Sequence, residues 1–183
     1  MKYKILSQYF SLLKKIKLVV FDCDGVMTDG GIYINNMGES FRRFDVKDGL
    51  AIKLLQSQDI FLACISGSNS KIIDIRFKSL GVEIIQKGVK DKSLELEKIK
   101  FTLGVNKEET MFLGDDINDL KILNNVGIFA VPSDAHEACK KKATLIGYKK
   151  GGKGFFREIS DNLLLAKGLD PFKSFASKND YDL

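Results

Sequence analysis

The chain has 183 residues, Lys+Arg 29 against Asp+Glu 24 for a net charge of +5, three Cys, two Pro, one His and no Trp. That length suits one domain, and no run of about 18 apolar residues is present to span a bilayer. A lone His136 excludes a His-rich metal cage and argues against a Ser–His–Asp hydrolase, while three Cys without CxxC argue against a disulfide framework or structural zinc and for a reducing compartment, the cytoplasm. The mild positive charge is compatible with an anionic ligand but is too diffuse to indicate nucleic acid.

Met1 to Lys17 carries Ile5, Leu6, Tyr9, Phe10, Leu12, Leu13 and Ile16 at helical spacing, without the apolar core or cleavage site of a secretory signal. A short amphipathic helix, docked on the domain or on a neighbouring subunit, is expected over residues 1–16, without stable membrane association. Leu18–Phe21 is a continuous apolar run, as in a strand buried on both faces. Gly31–Phe44 reads as a hairpin turning at Asn35-Asn36-Met37-Gly38. Asp48 can cap a helix through about Gln58, and Ile60–Ile65 is a second buried strand. Ser68 to Leu80 is helical and stops at Gly81, Val82–Ile85 is a third strand, and Lys92–Leu103 is a helix ended by Gly104. Thr110–Leu113, Gly127–Val131 and Ala143–Ile146 supply further strands, with a helix at Asn118–Asn125 between the first two. A closing helix runs from about Phe155 to Lys167, ahead of a polar, flexible tail over 169–183. Cys23 and Cys64 read as packing residues and His136 as a surface loop residue.

Strand–helix alternation implies an α/β fold, a doubly wound, Rossmann-like parallel sheet with helices on both faces. In such sheets ligands bind beyond the carboxyl ends of the strands. After the first strand come Asp22 and Asp24, two apart and expected to face one side, where like charges require a cation or a shared proton. After the fourth comes Gly114-Asp115-Asp116-Ile117-Asn118-Asp119. Two acidic clusters on one sheet edge make an oxygen-rich site for a hard cation such as Mg²⁺. After the second strand, Ser66-Gly67-Ser68 can hold an anion with hydroxyls and backbone N–H groups. The stretch Lys87 to Lys92 offers a cation for a phosphoryl group.

The ordered set hhhhDxDGVxTDG, h-[ST]-G, Lys and GDDxND resembles the haloacid dehalogenase superfamily of phosphohydrolases, over roughly residues 17 to 167. The resemblance implies Asp22 as the nucleophile that takes the phosphoryl group, and Asp24 as general acid and then base. It implies Mg²⁺ on Asp22, the backbone carbonyl of Asp24 and Asp115, with Asp116 and Asp119 positioning Lys92 or metal waters. Ser66 and Lys92 would hold the phosphoryl oxygens.

Only about 18 residues separate Gly30 from the helix at Asp48, so no cap domain is inserted. Finer segments (DGVMTDGGIYINNMGESFRRFDVKDGLAIKLL, IIQKGVKDK, MFLGDDINDL, VPSDAHE and GGKGFFRE) resemble the capless, tetrameric 3-deoxy-D-manno-octulosonate 8-phosphate phosphatases of lipopolysaccharide precursor synthesis. That resemblance implies a core over 17–168 with a hairpin flap at 31–44 that makes subunit contacts and helps cover a neighbour's site. It also implies a pocket for a small anionic sugar phosphate, lined by Asp24, Asp45, Val46, Lys47, Asp48, Gly49, Lys53, Ser68, Arg76 and Lys92. More than one cation suits a ligand with a phosphate and a carboxylate. The chain departs from the family pattern at Ser66-Gly67-Ser68, where TGR is usual, at DVKDG against NVRDG, and at GGKG against GGRG. Fewer arginines weaken bidentate carboxylate recognition, which leaves a nine-carbon, sialic-acid-type 9-phosphate as the alternative substrate. A non-catalytic oligomerisation module, as in domains fused to sugar-nucleotide synthetases, is disfavoured by the intact Asp22, Asp24, Lys92 and Asp115. Arg42, Arg43, Lys47, Lys53, Arg76 and Lys92 are the cations expected to surround the acidic site.

Overall fold

The computed structural model describes residues 7–38 and 40–171. Its strands are β1 (Leu18–Phe21), the short pair β2 (Tyr33–Ile34) and β3 (Ser40–Phe41), β4 (Phe61–Ile65), β5 (Ile84–Gln86), β6 (Thr110–Leu113), β7 (Ile128–Val131) and β8 (Leu145–Ile146). The helices are α1 (Phe10–Leu13), α2 (Val46–Gln56), α3 (Lys71–Ser79), α4 (Lys92–Leu103), α5 (Glu137–Lys142) and α6 (Phe155–Ala166), with a 3₁₀ helix at Ile117–Asn125 between β6 and β7.

Side chains of a strand alternate between faces, and here both faces are buried. Val19, Phe21, Cys64, Met111, Leu113, Ile128 and Ala130 join one apolar cluster with Leu54 and Leu55 of α2, Ile73 and Phe77 of α3, and Phe156, Ile159 and Leu163 of α6. Leu18, Val20, Ala63, Ile65, Phe112, Phe129 and Val131 join the other, with Leu96 and Ile99 of α4, Ile122 of the 3₁₀ helix and Cys139 of α5. The three-layer α/β arrangement read from strand–helix alternation is therefore the observed one.

The sheet order is β5-β4-β1-β6-β7-β8, all parallel. Counting only these strands in chain order gives the 3-2-1-4-5-6 order of dinucleotide-type doubly wound sheets. The winding reverses between β1 and β6, and this switch point places Asp22 beside the loop that follows Leu113.

Local chemistry shifts several boundaries. Asp45, not Asp48, caps α2: its Oδ1 accepts from the Lys47 backbone N–H at 2.9 Å. Asp48 lies inside the first turn, turned inward. Helix α3 starts at Lys71 with Ser70 as cap, because the Ser66–Ser68 backbone is committed to the next loop. There Ser66 donates to the Gln86 carbonyl, Gly88 to that of Ser68 and Val89 to that of Ser66. The 117–125 segment is 3₁₀ rather than α, with Asp116 and Asp119 forming a capping box at its start. Gly104 ends α4 in the left-handed conformation, as expected. Helix α5 was not anticipated; the exposed His136 caps it, its Nδ1 accepting from the Ala138 N–H at 3.1 Å.

Of the expected N-terminal helix, residues 1–6 lie outside the described residues, as do residues 172–183 of the expected tail. The described part, α1, buries Leu13 in the cluster beneath α6, and Lys167 donates to the Lys14 carbonyl at 3.0 Å. The flap is shorter than the 31–44 hairpin expected. Two residue pairs form the ladder, an isolated Thr28–Phe44 bridge closes its base, and Ile32, Tyr33, Ile34, Met37 and Phe41 are exposed. No helix is long and apolar enough to cross a membrane among the described residues.

Candidate active site

Asp22 directly follows β1 and is buried. Its Oδ1 accepts from the Cys23 N–H at 2.7 Å, and its Oδ2 pairs with Lys92 Nζ at 2.9 Å. Lys92 opens α4 and is only 4% exposed, and its ammonium also meets Asp119 Oδ1 at 2.6 Å. The other oxygen of Asp119 accepts from the Asp115 N–H at 3.0 Å. Asp119 thus holds Lys92 and the Asp115 backbone at once, in keeping with a positioning role.

Carboxylate oxygens of Asp22, Asp115 and Asp119 lie within 4.8 Å of one another. Burial and the charges of Asp22, Asp119 and Asp116 push the Asp115 carboxyl up to about 8. Burial likewise lifts Asp22 above the usual carboxylate range, although Lys92 opposes it. Burial works against the charge on Lys92, yet Asp22 and Asp119 hold its pKa above the ordinary value. Buried carboxylates collected around one lysine fit a hard divalent cation with oxygen ligands. Asp22 and Asp115 are the carboxylates that would hold it, each oxygen having a lone pair beyond the one its hydrogen bond uses, while Asp119 ties Lys92 to the Asp115 backbone.

Loop packing keeps Asp115 in place. Its carbonyl accepts from the His136 N–H at 2.8 Å, and its carboxylate lies against Gly25, where an added Cβ would overlap it. Gly151 and Gly152 press on the same turn: Gly152 donates to the Val26 carbonyl at 2.9 Å, and a side chain at Gly151 would overlap the Gly25 carbonyl. The GGKG stretch resembles a family segment, but that resemblance does not reveal this brace. Its signal was two adjacent glycines, consistent with close backbone approach.

Asp24 departs from the expectation that it points alongside Asp22. After β1 the chain turns, with Met27 and Thr28 both donating to the Cys23 carbonyl, so alternation no longer applies. The Asp24 carboxylate instead takes two bonds from Arg42, at 2.7 Å from Nε and 3.2 Å from NH2, and Arg42 NH2 also donates to Ser68 Oγ at 3.1 Å. Arg42 had been expected only as one of several nearby cations. Ser66 is buried, with Oγ accepting from the Ser68 N–H at 3.1 Å. Asp116 is exposed and caps the 3₁₀ helix through the Ile117 N–H, rather than reaching Lys92.

The remaining pocket candidates sit on α2 and α3. Arg76 crosses Gly49, where a Cβ would lie 2.5 Å from its NH2, and stacks on Phe44 at 5.7 Å from the ring centroid. Its Nε is buried without a hydrogen-bond partner among the described residues, and burial lowers its pKa. Val46 and Lys47 are exposed at the start of α2, Asp45 is the cap, and Lys53 lies near Gly81. Asp48 is a correction. It is fully buried and accepts from the backbone N–H groups of Gly154 at 3.2 Å and Arg157 at 2.8 Å, so it holds the start of α6 rather than facing a ligand. Burial nevertheless raises its carboxyl to about 6 against those two bonds. Cys23, Cys64 and Cys139 are free and buried, in agreement with a packing role.

Comparison with known proteins agrees with this geometry. The sequence profile of the haloacid dehalogenase-like hydrolases matches residues 55–159. The 3-deoxy-D-manno-octulosonate 8-phosphate phosphatase KdsC of Yersinia pestis is 37% identical over 152 residues, which is 83% of this chain and 81% of that protein. The phosphatase of the same name from Moraxella catarrhalis, solved with magnesium, phosphate and KDO, superposes with a TM-score of 0.88 at 32% identity, covering 94% of this chain and 98% of that one. The cobalt-bound form of the Haemophilus influenzae enzyme gives a TM-score of 0.85 at 36% identity, covering 90% of this chain and 99% of that one. The chain belongs to the haloacid dehalogenase-like hydrolases and, within them, to the family of 3-deoxy-D-manno-octulosonate 8-phosphate phosphatases.

Proposed function

We propose that the protein is a Mg²⁺-dependent phosphatase that hydrolyses 3-deoxy-D-manno-octulosonate 8-phosphate to the free sugar acid and inorganic phosphate, in lipopolysaccharide precursor synthesis. The observation that carries this reading is the buried Lys92 ammonium held between Asp22 and Asp119, with Asp115 alongside, at the switch point of the sheet. Mg²⁺ on Asp22, Asp115 and the backbone carbonyl of Asp24 would supply charge opposite the phosphoryl oxygens.

Asp22 attacks phosphorus through a carboxylate oxygen, the bond from phosphorus to the sugar oxygen breaks, and that oxygen takes the proton of the Asp24 carboxyl. Asp24, now a carboxylate, accepts a proton from the water that attacks the aspartyl-phosphate. Phosphate leaves and Asp22 is regenerated. Lys92 and the Ser66 hydroxyl stabilise the phosphoryl oxygens, with Asp119 fixing Lys92. Asp45, Val46, Lys47, Gly49, Lys53, Ser68 and Arg76 form the surface that receives the sugar acid. The exposed apolar flap suits a homotetramer in which subunits meet through their flaps. A nine-carbon 9-phosphate is the competing substrate, because Ser68 stands where the family usually has arginine and matches neither branch, while the SDAHE stretch leans to the octulosonate.

The deciding experiment measures phosphate release from eight- and nine-carbon 2-keto-3-deoxy sugar phosphates, with generic phosphates as controls. Preference for the octulosonate, loss of turnover in Asp22→Asn and loss in excess chelator are expected. Turnover that survives Asp22→Asn or chelation overturns the mechanism, and a monomeric mass by light scattering overturns the assembly.

A further inference from the structure

We propose that Arg42 is a positioning residue for the reaction: the flap exit delivers a guanidinium that fixes the Asp24 carboxyl toward the leaving group. The inference rests on the general-acid reading of Asp24 given above.

Arg42 directly follows β3, so its side chain belongs to the flap, while its partners belong to two loops of the core. Nε and NH2 meet the two Asp24 oxygens at 2.7 and 3.2 Å in the parallel fork that an arginine makes with a carboxylate, and NH2 also reaches Ser68 Oγ at 3.1 Å. The Arg42 side chain is 4% exposed, whereas that of Asp24 is 30% exposed. The cation is thus buried and the acid is partly exposed to solvent. Two oxygens bound at once remove the rotation of the carboxyl about its own bond, and because the cation favours the ionised form, the fork contributes aim and a readier release of the proton rather than a larger protonated share of Asp24. Ser68 sits after β4, which pairs directly with β1, so the guanidinium bridges neighbouring strand ends. An ordinary surface ion pair would have neither the burial nor the second anchor.

This placement has a signature that a merely structural arginine would lack. A positioned acid matters when the departing oxygen needs a proton, as a primary sugar alkoxide does, and hardly matters for p-nitrophenolate, which leaves as a stable anion. The test compares kcat on 3-deoxy-D-manno-octulosonate 8-phosphate and on p-nitrophenyl phosphate for wild type, Asp24→Asn, Arg42→Ala, Arg42→Lys and Ser68→Ala. Arg42→Ala is expected to lose about 10²-fold on the sugar phosphate and less than about threefold on the aryl phosphate, following Asp24→Asn. Arg42→Lys, which keeps the charge but not the fork, is expected to recover part of the selective loss and carries the same comparison if the alanine variant does not fold. Ser68→Ala is expected to show a smaller loss in the same direction. Equal losses on both substrates, or none, overturn the assignment while Asp24→Asn still discriminates. If Asp24→Asn itself does not discriminate, the general-acid reading falls and the role of Arg42 with it.

Discussion

Replacing Asp115 by Asn removes one of three carboxylates that crowd the end of the sheet around Lys92. The carboxyl stands at about 8 in the folded chain against an ordinary 3.8. Its folded pKa is above its unfolded one, so the folded metal-free protein keeps a proton that the unfolded chain gives up. Metal-free stability therefore falls as pH rises from about 4 through about 8. At about 1.4 kcal/mol per pKa unit the shift sets a ceiling of about 6 kcal/mol. Water at this half-buried site screens the interaction and brings the expected effect to about 2 kcal/mol. Asp115→Asn in excess chelator at pH 8 should then melt about 4–8 °C above wild type. Its stability should also fall less between pH 4 and 8, the remaining slope coming from Asp22 and Asp48, whose carboxyls are raised too. Added Mg²⁺ should raise the melting temperature of wild type but barely move the variant. Thermal melts from pH 4 to 9, with chelator or with Mg²⁺, give both readings. A variant no more stable than wild type in chelator at pH 8, or stabilised by Mg²⁺ as strongly, would refute the electrostatic account.

Three other substitutions probe the supports of the site. Gly25→Ala puts a Cβ into the Asp115 carboxylate at a backbone φ of +82°; calorimetric Mg²⁺ affinity should drop at least about tenfold, and unchanged affinity would show that the contact is relieved without moving Asp115. Lys92→Met leaves Asp22 and Asp119 buried without their cation, at a cost of about 3–5 kcal/mol in urea unfolding; adding Asp119→Asn should recover part of the loss, and simple additivity would count against the pair. Asp48→Ala removes the carboxylate that holds the Gly154 and Arg157 N–H groups and should cost about 2–4 kcal/mol. An unfolding free energy within about 0.5 kcal/mol of wild type would mean that water replaces it.

Sequence pattern carried the sheet because buried parallel strands are written as short continuous apolar runs, and Leu18–Phe21 and Thr110–Leu113 appear as strands with the expected limits. The acidic clusters were legible for the same reason: they follow those runs directly. Local rules failed where a polar side chain chose a distant partner. Asp48 has the sequence position of a cap for α2 but serves α6, more than a hundred residues on, and nothing within its neighbourhood could reveal that. Ser68 looked like the start of a helix, but the backbone around it bonds to the loop after β5. The Arg42 contacts with Asp24 and Ser68 depend on how the flap folds back, which apolar periodicity does not encode.

The same charges explain why the site needs so many supports outside the reacting groups. Gathering Asp22, Asp115 and Asp119 within 4.8 Å works against folding until a cation joins them. Lys92 offsets part of that repulsion, but only because Asp119 spends both oxygens on Lys92 and on the Asp115 backbone. Asp115 would relieve the rest by moving outward. The turn at Gly25, backed by Gly151 and Gly152, and the His136 N–H on its carbonyl oppose that escape. The glycines are thus bound up with the electrostatics: by letting backbone approach where a side chain would intrude, they keep repelling carboxylates close together, as the proposed cation site requires. Removing the repulsion at its source, as Asp115→Asn does, should raise metal-free stability while weakening Mg²⁺ binding, whereas a side chain at the brace glycines meets backbone and should lower both. That opposition of signs separates a strained metal site from an ordinary packed loop, in which both quantities would fall together.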